Sequence, residues 1–130
     1  MAVRIDATGD ALRLTSGVID YNNAYTIMAW AYPVSNPAAA QNLFTITDGG
    51  GSNKDTIRTN SGGTTLSVQS IVGGTSINTS GSAVAYATWK HFAMVRTDVS
   101  TLRCYVNATL DATATNNITG RAASTQIDIG

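Results

Sequence analysis

The chain has 130 residues, enough for one core and too few for two, and 43% of them are hydrophobic. Its 8 basic and 8 acidic residues cancel and do not cluster, which argues against nucleic acid or another phosphate-rich partner, because such binding needs a basic stripe. Every acidic residue is Asp and none is Glu, which removes a good helix former and excludes any mechanism that requires a Glu.

The opening segments 2–6 (AVRID) and 11–16 (ALRLTS) flank the turn triplet Thr8-Gly9-Asp10, which predicts a strand pair. No apolar run here suits a signal peptide, so synthesis in the cytoplasm without one is expected. Tyr21 and Asn22 precede the next strand as a rim cluster that suits ligand contact. Residues 25–34 (YTIMAWAYPV) give the strongest strand signal. Tyr25, Ile27, Ala29 and Ala31 line one face, and Thr26, Met28, Trp30 and Tyr32 the other. Both faces are largely apolar, which predicts a central strand covered on both sides. Trp30 is then core, while Tyr32, near the strand's end, is placed for exposure and ligand stacking. Pro33 and Pro37 end the strand, and 36–41 (NPAAAQ) suits a helical turn.

Residues 42–47 (NLFTIT) form the next strand, followed by a glycine-rich loop. Asp48, Asn53 and Asp55 carry oxygens of the kind calcium takes as ligands, and the glycines permit a tight wrap. The spacing matches no defined calcium loop, so a plain hairpin loop stands beside that reading. Asn53 is also a candidate ligand contact. Segments 56–59, 65–72 and 75–80 alternate between glycine pairs and read as successive hairpins. Residues 88–97 (TWKHFAMVRT), 101–110 (TLRCYVNATL) and 124–130 (STQIDIG) complete the series. Trp89, Val95, Leu102, Val106, Ile27 and Ile46 are expected in or beside the core. Cys104, the single cysteine, falls at strand spacing with Leu102 and Val106 and reads as a buried, inert thiol. Asn78, Asn107 and Asn117 head N-x-Ser/Thr triplets, which a Thr-rich chain produces by chance. No segment approaches the ~20 apolar residues of a membrane helix, so no membrane insertion is expected. Many short strands between turn clusters predict one all-β domain over residues 1–130, an antiparallel β-sandwich.

The stretch 88–115 (TWKHFAMVRTDVSTLRCYVNATLDATAT) resembles the laminin-G-like jelly roll of the concanavalin A-like lectin/glucanase superfamily. Trp89, His91, Ala93, Val95 and Arg96 match its Trp-to-Arg strand, and Leu102, Tyr105, Val106 and Asn107 the strand that follows. YTIMAWAYP, VRIDATGDALRL and IDIG resemble further strands of the same fold, so the likeness spans most of the chain. Three departures stand out. Asn107-Ala108 replaces an Asn-Gly turn and Asp98-Val99 an Asp-Gly turn. Ala and Val resist positive φ, so both turns are expected to be longer or of type I. Members of the family also continue past IG into further strands, so this jelly roll is expected to lack its last strands and to present an open sheet edge.

The related glucanases use paired Glu residues about 5–10 Å apart. Glu is absent here, and no strand carries two Asp at i, i+2, so no enzymatic activity and no catalytic residue is expected. His91 reads as a structural histidine on one strand face with Trp89 and Ala93. The leading expectation is a non-catalytic structural or adhesive module of a bacteriophage virion or surface assembly, engaging a protein partner or itself through the open edge. Its low charge (12%) and Thr/Ser/Asn richness suit a virion or extracellular surface. The alternative, which the resemblance implies, is a carbohydrate-binding module with or without calcium as its cofactor.

Overall fold

The computed structural model describes residues 12–14 (backbone only), 23–33, 39–60, 62, 64–119, 121, 124 and 126–130. The segment 2–6, the turn 8–10, Tyr21, Asn22 and residues 36–38 of the 36–41 turn lie outside these. The described elements are all strands: β1 (Leu12–Leu14), β2 (Tyr25–Ala31), β3 (Asn42–Thr47), β4 (Lys54–Thr59), β5 (Thr65–Val72), β6 (Thr75–Ala83), β7 (Lys90–Arg96), β8 (Thr101–Val106), β9 (Thr109–Thr115) and β10 (Gln126–Ile129). They form two antiparallel sheets, one ordered β1-β10-β3-β4-β5-β6 and one β2-β7-β8-β9. Alternation sends Phe44, Ile46, Ile57, Leu66, Val68 and Ile127 inward from the first sheet. Phe92, Met94, Leu102, Cys104, Ala112 and Ala114 meet them from the second. The thiol of Cys104 is fully buried, and burial followed by the nearby Asp111 charge pushes it up to about 12, as expected of an inert cysteine.

Leu102 and Ile46 are fully buried, and Ile27 and Val106 pack against the core, as expected. Three expectations reverse: Val95 falls on the outer face of β7, between Thr26 and Arg103, and both tryptophans face solvent. Trp30 is 64% exposed and Trp89 is 58% exposed. The period-two reading was sound, but both faces of β2 and β7 are apolar, and the face carrying Phe92 and Met94 is the inner one. Nor is β2 central among the described strands, where it pairs with β7 alone, at the edge of its sheet.

The turns divide in the same way. Between β7 and β8 the chain takes four residues, with Asp98 Oδ1 accepting from Ser100 N (2.7 Å) and Thr101 N (2.8 Å), the longer turn expected. These bonds hold the Asp98 carboxyl well below its ordinary range. Between β8 and β9, by contrast, Asn107 and Ala108 alone make the turn, at φ 48° and 65°. Val106 pairs with Thr109 across it, so it is a primed two-residue loop despite the alanine. The open edge expected at the last strand is not there either. β10 is bonded to β1 on one side and β3 on the other.

The sandwich is pinned near the start of β2 by a buried charge cluster. Asp55 Oδ2 accepts from Arg96 Nη2 (2.7 Å), Arg96 Nε (3.1 Å) and Tyr25 OH (2.6 Å) of the opposite sheet. Asp55 Oδ1 accepts from Ser70 Oγ (2.8 Å) and from Arg121 Nη2 (2.9 Å), in the segment before β10. Burial pushes the Asp55 carboxyl up, but the hydrogen bond from Arg121 and the charge of Arg96 outweigh it and hold it below its usual range.

Candidate functional site

The only aromatic side chains that stand well out into solvent, among the described residues, are Trp30, Trp89 and Tyr32. They gather at one end of the outer face of the four-stranded sheet. In β2, the alternation that buries Ile27 and Ala29 turns Met28 and Trp30 outward, and Tyr32 follows the same side just past the strand. In β7 it turns out His91, with Trp89 immediately before the strand. Trp30 and His91 are direct cross-strand partners, their rings 5.5 Å apart and inclined by 63°. Tyr32 and Trp89 form the next pair, also at 5.5 Å, inclined by 55°.

Backbone bonds hold this arrangement. His91 N donates to Asn107 Oδ1 (2.9 Å), and Asn107 N donates to His91 O (2.8 Å), so the β8–β9 turn is clamped to the start of β7. Ala87 N donates to Pro33 O (2.8 Å), fixing the approach to Trp89 to the end of β2. Ala87 (φ 52°) and Ala108 (φ 65°) both adopt the left-handed conformation that disfavours a Cβ. Strain of this kind therefore gathers around the aromatic group. Trp30, Trp89, His91, Asn107 and Ala108 line an open cleft of about 510 Å³. The Asn107 Nδ2 and the His91 ring nitrogens make no hydrogen bonds among the described residues. The cleft thus offers aromatic faces, a few free polar groups and no carboxylate.

The residues singled out from sequence do not converge. Tyr32 is 43% exposed and stands against Trp89, beside the cleft rather than in its lining. Asn53 and Asp48 sit in the β3–β4 loop. That loop precedes Asp55, which bonds Tyr25 at the end of β2 remote from Tyr32, so it lies at the other end of the sandwich. Asp48, Asn53 and Asp55 are not grouped around one ion position. Asp55 points into the core and its oxygens are taken by Arg96, Arg121, Tyr25 and Ser70. Asp48 Oδ1 accepts from Gly50 N (3.0 Å) and Gly51 N (3.1 Å), and its Oδ2 from Asn53 Nδ2 (2.8 Å). Asn53 Oδ1 in turn accepts from Gly73 N (3.0 Å). Burial acts upward on Asp48, and the bonds from Asn53, Gly50 and Gly51 override it to lower the carboxyl. Sequence reasoning missed Trp89, His91 and Asn107 as surface groups. The usable signal was the repetition of large side chains at Met28-x-Trp30-x-Tyr32 and Trp89-x-His91 on faces opposite Ile27 and Phe92.

Comparison with known proteins bears on the fold. The family described as the concanavalin A-like lectin/glucanases superfamily, in its laminin-G-like branch, matches residues 6–130. No curated protein matches the chain. Domains LG4-5 of the mouse laminin α1 chain share 12% identity at a TM-score of 0.64, covering 92% of this chain and 31% of that one. Botulinum neurotoxin type C, described as dependent on two ganglioside molecules for entering cells, shares 16% at a TM-score of 0.60, covering 82% of this chain and 27% of that one. The carbohydrate-binding module CBM66 of Bacillus subtilis shares 9% at a TM-score of 0.57, covering 82% of this chain and 67% of that one. The chain therefore spans about a third of the laminin fragment.

Proposed function

Because the chain belongs to the concanavalin A-like lectin/glucanases superfamily, we propose that it is a non-catalytic, lectin-like adhesive module whose aromatic cleft binds carbohydrate. The observation that carries this reading is the exposure of Trp30 and Trp89 beside Tyr32. Keeping a large apolar side chain in water forgoes about 1.5–3 kcal/mol of burial, and contiguous exposed apolar surface marks interaction sites. Indole and phenol faces stack on the C–H face of a sugar ring. His91 and Asn107 stand beside them to meet its hydroxyls.

Two of the similar structures point the same way, one a carbohydrate-binding module and one a toxin that interacts with gangliosides. The non-catalytic reading is supported by the occupation of the described Asp residues. Asp48 and Asp98 cap turns, Asp55 neutralises buried arginines, Asp111 accepts from Ser82 N, and Asp128 accepts from Gln126 Nε2. On composition we place the module at the surface of a virion or a cell, where an adhesive role fits the low charge and the Thr, Ser and Asn content.

The test is a glycan array probed with the intact chain and with Trp30→Ala and Trp89→Ala, each with and without calcium. The reading expects glycan binding that falls at least about tenfold in both variants. An array with no bound glycan under either condition overturns it. Binding that survives both substitutions removes it from the cleft.

A further inference from the structure

We infer that the cleft takes a soluble, uncharged glycan chain several units long, and neither a single terminal sugar nor a flat crystalline surface. This rests on the carbohydrate reading above and specifies its ligand class. The first observation is length. Behind the Tyr32–Trp89 pair and the Trp30–His91 pair lies a third outward row, in which Met28, Ala93, Tyr105 and Leu110 are successive cross-strand partners. Met28 and Leu110 are 60% and 50% exposed, so this row continues the apolar surface across all four strands. Rows two residues apart step about 7 Å along a strand, so three rows span about 13 Å, the length of roughly two to three linked pyranose rings.

The second observation is shape. Within each aromatic pair the rings are inclined by 63° and 55°, so each pair makes a notch. A flat platform requires coplanar rings. Notched pairs grip a chain whose successive rings turn relative to one another, as they do in solution. The third is charge. Trp30, Trp89, His91, Asn107 and Ala108 line the cleft, and Met28, Ala93, Tyr105 and Leu110 make the third row, without a carboxylate, Lys or Arg among them; Arg103 faces outward one row farther on, between Val95 and Thr113. Lys90, between Trp89 and His91, pairs with Ala31 on the opposite side of the strand. An acidic sugar would leave its carboxylate or sulfate without a cationic partner there, and burying an unpaired charge is costly.

The experiment is a glycan array carrying neutral and acidic chains from one to six units, followed by calorimetric titration of the intact chain with the free glycans that bind. The expected hits are neutral, and affinity rises about tenfold or more from one unit to three and then levels off. Leu110→Ser, at the far row, should weaken three-unit chains about threefold or more and leave one-unit and two-unit chains unchanged. Leu110 is exposed, so the variant should fold. Microcrystalline cellulose should not retain the protein. Equal affinity for one and three units, hits confined to acidic sugars, or retention on the crystalline polymer would each overturn this inference while leaving the carbohydrate reading in place. An array with no hits overturns both.

Discussion

On the outer face of the six-stranded sheet, Thr45, Thr56, Gln69 and Asn78 stand in one row across four strands. On the four-stranded sheet the outward positions toward the Trp30 end hold Met28, Trp30, His91 and Leu110, and a more polar row of Thr26, Val95, Arg103 and Thr113 follows toward the other end. The polar face bonds largely to itself: Thr45 Oγ1 to Thr56 Oγ1 (2.9 Å), Gln69 Nε2 to Ser76 Oγ (2.9 Å), Asn78 Nδ2 to Ser76 Oγ (2.9 Å). Thr56 is sealed from solvent although it faces away from the core. The apolar face leaves its rings and its free polar groups in water. A polar surface that satisfies most of its own groups, with Gln69 Oε1 and Arg58 Nε the exceptions, gains less from a partner than exposed rings gain by being covered. The asymmetry therefore points to the four-stranded sheet as the working face and assigns the six-stranded sheet, with its charge cluster, to holding the sandwich together.

The sharpest way to break this division is Asp55→Asn. It leaves Arg96 and Arg121 buried without their countercharge and should cost about 3–5 kcal/mol in chemical denaturation. Glycan binding per folded molecule should not change. Titration probes the same cluster. Asp55 is lowered in the folded state, so its contribution is present above the ordinary carboxyl value of about 3.9 and is lost as pH falls through the folded value. Tyr25 is raised well above its usual value by burial and then by the Asp55 charge. Its contribution is complete below about pH 10 and is lost as pH rises through the folded value. Stability measured against pH should therefore be flat through neutrality and fall at both extremes.

Smaller effects separate the parts further. Gly81→Ala would push a Cβ into the Asp111 carboxylate, which accepts from Ser82 N at 3.0 and 3.1 Å and ties β9 to β6. The carboxylate should swing away, at a cost of about 1 kcal/mol, with no effect on the cleft. Ala108→Gly should gain about 0.5–1 kcal/mol, because the turn is left-handed at that residue and glycine accepts it freely. Smallest of all should be the stability change in Trp30→Ala or Trp89→Ala, within about 0.5 kcal/mol, since neither indole is in the core.

The strands were legible because alternation survives any environment. The expected segments 42–47 and 65–72 coincide with β3 and β5, and the last, 124–130, contains β10. What alternation could not supply was the inward side of a strand apolar on both faces. Ile27 with Ala29 and Met28 with Trp30 compete on equal terms until β7 is placed, and then Phe92 and Met94 decide it. The Asn107-Ala108 turn was misjudged because local strain weighed more in the sequence than the register of β8 and β9, which the clamp to His91 enforces. Asp55 resembled a rim ligand because its two arginines lie 41 and 66 residues away, a distance across which no local pattern reports.

Both tryptophans of the chain line the cleft, so fluorescence excited selectively at tryptophan reports on it alone. Acrylamide quenching of the intact chain, free and saturated with the neutral oligosaccharide that binds best, is the most direct measurement. The free protein should be quenched strongly, as two exposed indoles require. Saturation should shield them and shift their emission to the blue. Quenching that is unchanged at saturation, with binding confirmed by calorimetry, would place the ligand elsewhere and contradict the assignment of the four-stranded sheet as the working face.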